Sequence, residues 1–64
     1  MIKLTKLNNQ VFYLNPHLIE RIEERPDTII TMDSQIQYLV KESIEEILYK
    51  TVEYRKKLEI GSQE

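Results

Sequence analysis

The chain has 64 residues and a mass of 7.7 kDa, which is enough for one domain. It carries 9 basic and 11 acidic residues, a net charge of −2 with His17 neutral. Proteins that bind nucleic acid through its phosphates usually show a basic surface, so this balance argues against a nucleic-acid partner. The chain has no cysteine, which excludes disulfides, thiolate metal sites and a cysteine nucleophile.

The hydropathy pattern predicts no membrane span. The longest apolar run is 11–14, whereas a spanning helix needs about 20 apolar residues. Polar residues interrupt the apolar ones within the first six positions, whereas a signal peptide has a continuous apolar region. We therefore expect a cytoplasmic protein, with a location close to the membrane left open. So short a chain without disulfides forms only a small core, which makes the monomer marginally stable. We therefore expect a homo-oligomer.

The first fifteen residues predict a β-hairpin. Ile2 and Leu4 alternate with polar residues, and 10–15 is rich in residues that favour strands. Asn8-Asn9 lies between these segments and favours a two-residue type I′ turn, because asparagine tolerates positive φ. Asn15-Pro16 ends the second strand.

Three more predicted strands follow, separated by short turns. The spacing in 18–24 fits a helix or a strand, and its short length between two prolines favours a strand. A turn at 25–28 leads into a strand at 28–32. Asp33-Ser34 predicts a second tight turn before a strand at 35–40. Consecutive strands joined in this way form a meander.

The chain ends in one predicted helix. Ser43 and Glu46 form a capping box at its start. The predicted core-facing stripe then recurs at helical spacing, at Ile44, Ile47, Leu48, Thr51, Tyr54 or Arg55, and Leu58. Gly61 is predicted to stop the helix and leave 61–64 as a frayed tail. The predicted fold is α+β: a small antiparallel β-sheet of about five strands in a meander, with one C-terminal α-helix packed on one face, as a single domain over 1–60.

The residues do not indicate a catalytic, cofactor or metal site. His17 is the single histidine and has no ligand partner at a recognisable spacing, so a solvated loop residue is the favoured interpretation. Glu20, Glu23 and Glu24 alternate with arginines, as on a solvated strand face. Gly61 is the single glycine, so no glycine-rich phosphate loop is present. We expect a non-enzymatic protein without cofactor or metal that binds another protein.

In order and spacing, several segments resemble the flagellar protein FlbD family, also called the swarming motility protein SwrD family. The matching segments are 1–8, 14–16, 18–20, 26–28, 40–43 and 53–57, so the resemblance covers about residues 1–58. The family usually has Asn-Gly in both hairpin turns and often an acidic residue at position 17. Asn8-Asn9, Asp33-Ser34 and His17 depart from that pattern.

The resemblance implies a small cytoplasmic accessory factor of the bacterial flagellum, without enzymatic activity or cofactor. It implies that the protein raises motor power by supporting the stator units, with flagellar motor or stator proteins as partners. The residues leave two alternatives open. One is a small β-rich RNA-binding or regulatory protein of a motility system, and the other is a homo-oligomeric scaffold.

Two surfaces are available for a partner: the sheet face or edge that the helix leaves uncovered, and the exposed side of the helix. The helix side carries Glu45, Tyr49, Lys50, Glu53 and Lys56. The candidate contact residues are Asn15, Pro16, Asp27, Thr28, Lys41, Glu42 and Tyr49. For Asn15 and Pro16, turn geometry is the favoured explanation.

Overall fold

The computed structural model has five antiparallel strands in two sheets, followed by one long helix. It describes residues 1–62, with side chains described for 1–58. The strands are β1 (Ile2–Thr5), β2 (Val11–Leu14), β3 (Ile19–Glu24), β4 (Thr28–Met32) and β5 (Gln37–Val40), and the helix is α1 (Ile44–Ser62). A 3₁₀ turn at Pro16–Leu18 connects β2 to β3. The predicted α+β fold is confirmed.

The strands form two sheets rather than one. β1 and β2 form a hairpin, and β3, β4 and β5 form a separate meander in that order. The two sheets meet at a single antiparallel bridge between Lys6 and Val40. Beside it, the Lys41 N–H donates to the Thr5 carbonyl oxygen at 2.8 Å. Since β1 and β5 touch only at their ends, they make no continuous ladder, and the expectation of one sheet is wrong in this respect.

The loop of the first hairpin has three residues, not two. The Lys6 N–H donates to the Gln10 carbonyl at 2.8 Å, and the Asn9 N–H donates to the Lys6 carbonyl at 2.9 Å. Asn9 has φ of 73°, and Asn8 is not among the described residues with positive φ. The predicted type I′ turn is therefore wrong. A single left-handed residue closes the loop, as in hairpins with a bulge.

The second hairpin repeats this loop. The Met32 N–H donates to the Ile36 carbonyl at 2.8 Å, and the Gln35 N–H donates to the Met32 carbonyl at 2.9 Å. Gln35 has φ of 74°. The predicted tight turn at Asp33-Ser34 is present, because the Gln35-to-Met32 hydrogen bond closes a turn around these two residues. The predicted strand start at position 35 is wrong, since Gln35 takes the left-handed position and β5 begins at Gln37.

The core lies between the two sheets and the helix. Its buried apolar side chains are Ile2, Leu4, Leu14, Ile30, Met32, Val40 and Ile47. The predicted capping box is confirmed, since the Glu46 N–H donates to the Ser43 hydroxyl at 3.1 Å and the Ser43 N–H donates to the Glu46 carboxylate at 3.3 Å. The cap fixes the start of α1 at Ile44, one turn before Ile47, which is buried in the core.

The helix buries less of its predicted apolar stripe than its pattern indicates. Ile47 is fully buried, whereas Leu48 is 54% exposed and Leu58 is 48% exposed. Leu48 is turned about 100° from Ile47 around the axis, away from the sheets. Leu58 faces the same way as Ile47 but lies about 16 Å further along the helix. The helix also continues through Gly61 to Ser62, so Gly61 does not end it; Gln63 and Glu64 lie outside the described residues.

Gln35→Gly should stabilise the fold, because glycine has no Cβ to disfavour positive φ. We expect the free energy of unfolding to rise by about 0.5–1 kcal/mol, measured by urea denaturation followed by circular dichroism. Ser34→Gly is the matched control in the same loop, and should give no gain because Ser34 does not have positive φ. Equal stabilisation by both variants would contradict this explanation.

Candidate functional site

A groove runs between the β1–β2 hairpin and one side of α1. It has a volume of about 310 Å³. Its lining residues are Met1, Ile2, Lys3, Tyr13, Tyr49, Lys50, Glu53, Tyr54 and Lys57, and we call it the tyrosine groove. It brings three of the four tyrosines of the chain together with three lysines.

The strand side of the groove follows from the alternation of the hairpin. Lys3 and Tyr13 are direct cross-strand partners. Their neighbours Ile2, Leu4 and Leu14 point into the core, so Lys3 and Tyr13 point outward. Tyr13 is 62% exposed, so a large part of it is accessible to a partner.

The helix side of the groove follows from helical spacing. Lys50, Glu53, Tyr54 and Lys57 lie three and four residues apart, on one side of α1. Tyr54 packs partly on the core and its ring meets the His17 ring edge-on at 5.7 Å. That contact fixes one wall of the groove, while Tyr49 stands 67% exposed at its rim.

The charge of the groove is opposite to that of the whole chain. It contains three lysines and one glutamate, whereas the protein has a net charge of −2. Glu53 is itself paired with Lys56, at 3.6 Å from the Lys56 nitrogen to a carboxylate oxygen. Tyrosines with an exposed ring and a polar tip are frequent anchors of protein interfaces, and lysines attract carboxylates. The groove is therefore suited to an acidic segment that also carries apolar side chains.

The sequence identified Tyr49 of this groove as a candidate contact, and it placed Lys50 and Glu53 on the same exposed helix side. Lys3, Tyr13 and Lys57 were not singled out, since they are separated by up to 54 positions along the chain. The available signal was the outward alternation of Lys3 and Tyr13 in the predicted hairpin. Nothing in the sequence placed that hairpin face beside the helix.

Three other predicted contact residues come together in a second cleft of about 320 Å³. Asp27, Thr28 and Lys41 line it, at the end of the meander next to Ser43. Thr28 is only 5% exposed, so its side chain belongs to the core and offers little to a partner. Lys41 hydrogen-bonds the Asn9 side chain at the hairpin tip, which gives it a structural role between the two sheets.

Asn15 and Pro16 lie apart from both clefts and shape the chain locally. The Asn15 side-chain oxygen accepts a hydrogen bond from the His17 N–H at 3.0 Å, and it caps the 3₁₀ turn that Pro16 begins. Pro16 is buried. His17 is exposed, as expected for a loop residue, but its ring packs on Tyr54.

Glu42 ties the hairpin to the start of the helix. One carboxylate oxygen accepts from the Thr5 N–H and the other from the Thr5 hydroxyl, each at 2.9 Å. Partial burial acts to raise the pKa of Glu42. The hydrogen bonds from Thr5 and from its own N–H, together with the Lys50 charge, outweigh burial and lower the pKa below the ordinary value. The ionised carboxylate is therefore the form that the fold stabilises.

Two general features bear on the chemistry of the chain. Over residues 1–62, no helix combines the length and the apolar character that crossing a bilayer requires. Among residues 1–58, whose side chains the structure describes, His, Asp and Glu form no group of three that could hold a metal ion.

Comparison with known protein families identified a match. The family model described as FlbD, flagellar and swarming motility proteins, matches residues 1–59. No curated protein and no solved structure matches the chain significantly.

Glu42→Gln should destabilise the fold by about 1–2 kcal/mol, because it weakens two hydrogen bonds to a charged group. A lowered carboxyl pKa contributes stability above its unfolded value, and that stability is lost as pH falls through the folded value. The difference between wild type and Glu42→Gln should therefore shrink as the pH falls below about 4.5, in urea denaturation at a series of pH values. Asp33→Asn, which neutralises an exposed carboxylate in the loop before β5, is the control. A difference that stays constant down to pH 3 would contradict this role for Glu42.

Proposed function

The chain belongs to the FlbD family of flagellar and swarming motility proteins, and on that premise we propose that it is a non-enzymatic, cytoplasmic accessory protein of the flagellar motor. In this proposal it supports motor power by contacting the stator units. The family match over residues 1–59 carries the role in motility. The contact with the stator rests on the family resemblance and on the character of the tyrosine groove.

The tyrosine groove is the contact surface in this proposal. Tyr13 and Tyr49 are the most exposed tyrosine anchors described, at 62% and 67%, and neither contributes a buried side chain to the fold. Lys3 and Lys57 are exposed beside them. A cytoplasmic segment of a motor protein with acidic and apolar residues matches this combination of rings and ammonium groups.

One observation favours a second candidate, RNA. Bases stack on tyrosine rings, and lysines beside the rings attract phosphates. The tyrosine groove has both tyrosine rings and lysines, although its strand side takes the lysine from β1 and the tyrosine from β2. Glu53 within the groove and the net charge of −2 oppose this candidate, so an acidic protein segment is the preferred occupant.

Deletion of the gene should reduce swarming while flagella still assemble, because an accessory of motor power acts after assembly. Swarm expansion, flagellar counts by electron microscopy and the torque of single motors measure these effects. Motor torque equal to wild type in the deletion strain would overturn the proposal.

Groove variants should fail to restore torque in that deletion strain. Tyr49→Ala removes an exposed anchor at little cost to the helix, and Lys57→Glu reverses a groove charge. We expect each to lower recovery of torque at least twofold at equal protein abundance. Arg25→Glu is the control, since Arg25 is exposed outside the groove. Full recovery by both groove variants would place the contact elsewhere.

A binding experiment separates the two candidate partners. The tagged wild-type chain should recover stator or motor proteins from cell extracts, as identified by mass spectrometry, and Lys57→Glu should recover less. Filter binding with single-stranded RNA at low salt should show only weak retention. Tight, salt-sensitive retention lost in Lys57→Glu would instead favour the RNA candidate.

A further inference from the structure

The helix has a third side that contacts neither the core nor the tyrosine groove. Leu48 and Val52 lie there, 54% and 49% exposed. Glu45 precedes them and Arg55 follows them, and both are exposed. We call Glu45, Leu48, Val52 and Arg55 the outer row. Their spacing of three, four and three residues is the repeat by which two helices pack along a common seam.

The outer row and the tyrosine groove lie on different sides of α1. At about 100° per residue, Leu48 and Val52 are turned about 100° and 140° from Ile47 in one direction. Lys50 and Lys57 are turned about 60° and 80° in the other direction. A molecule bound along the outer row would therefore leave the Lys50 and Lys57 side of the groove open, while Tyr49 at the groove rim lies next to Glu45.

We propose that the outer row binds the outer row of a second copy of this chain, with the two α1 helices antiparallel. The row is symmetric about position 50: Leu48 and Val52 lie two residues to either side, and Glu45 and Arg55 lie five. In an antiparallel pair whose two-fold axis crosses the outer row at the level of position 50 along the helix, Leu48 lies against Val52 of the second copy. The same register sets Glu45 against Arg55 of the second copy, at both ends of the contact.

The order of charges selects this arrangement. In an antiparallel pair, both end contacts join an acid to a base. The two helix dipoles then point in opposite directions, which is the favourable arrangement for helices side by side. In a parallel pair, Glu45 would meet Glu45 and Arg55 would meet Arg55, which are repulsive contacts. The row is thus complementary to a reversed copy of itself, and this self-complementarity identifies the occupant as a second copy.

The contact is short, which sets the expected affinity. From Glu45 to Arg55 the helix rises about 15 Å, roughly three turns. An overlap of this length falls at the small end of protein interfaces, so we expect a dissociation constant on the order of 10–100 µM. Dimers should appear at high protein concentration and dissociate on dilution.

Sedimentation velocity of the full chain measures this equilibrium. Protein concentrations from about 5 to 500 µM bracket the expected dissociation constant. Glu45→Arg alone and Arg55→Glu alone each make both end contacts repulsive. We expect either variant to weaken self-association about tenfold. An equimolar mixture of the two variants should associate again, because every end contact between unlike chains then joins an acid to a base. Recovery in the mixture also shows that both variants are folded.

Asp33→Arg is the control, because it makes the same type of charge reversal as Glu45→Arg in an exposed loop outside α1. It should leave the association constant within about twofold of wild type. Three results would overturn the proposal: a monomer at all concentrations, wild-type association in both single variants, or no association in their mixture. A dimer that is lost in Lys3→Glu but not in Arg55→Glu would place the second copy in the tyrosine groove instead. This inference does not depend on the proposed motor contact, since loss of torque and loss of the dimer are measured separately and in different variants.

Discussion

The junction between Thr5 and the segment that enters the helix determines how the parts of this protein are arranged. The hairpin and the meander form no continuous sheet, and they are joined at the Lys6–Val40 bridge, the Lys41-to-Thr5 backbone bond and the two bonds from Thr5 to Glu42. Glu42 immediately precedes the helix cap. Thr5 of β1 is hydrogen-bonded to both Lys41 and Glu42, the residues that connect β5 to the helix cap. These bonds hold the outward face of the hairpin beside α1. The tyrosine groove exists only in that arrangement.

The helix is longer than the surface that it covers. Ile47 is buried, whereas Leu48 and Val52 on the next side remain about half exposed. A helix used only to close so small a core would need fewer turns and fewer apolar side chains. The additional turns carry side chains that the core does not use. On one side of the helix these side chains line the tyrosine groove, and on another side they form the outer row. A pairing of two chains through the outer row would present two grooves to the surroundings, which would strengthen binding to a partner with repeated subunits.

Local rules were sufficient for the elements. Alternation, β-favouring composition and segment length identified the strands, and the Ser43–Glu46 capping box located the start of the helix. The same rules located the two hairpin loops but were wrong about their length. Asparagine at positions 8 and 9 made a two-residue turn plausible, but the ladder closes one residue later, and positive φ falls on Asn9 and Gln35. Glutamine at such a position has no local preference for it, so strand register rather than turn propensity decides the loop.

The sequence by itself determined the fold class, the order of strands and helix, and the family, because each depends on patterns within a few residues or on their order along the chain. Only the tertiary structure decided that the strands divide into two sheets and that Thr28 and Pro16 are buried. It also decided that Lys3 and Tyr13 lie beside Lys57. These features depend on contacts between residues up to 54 positions apart. Such contacts are selected by how the buried faces of Leu4, Ile30 and Ile47 pack together, and no local pattern in the sequence encodes that packing.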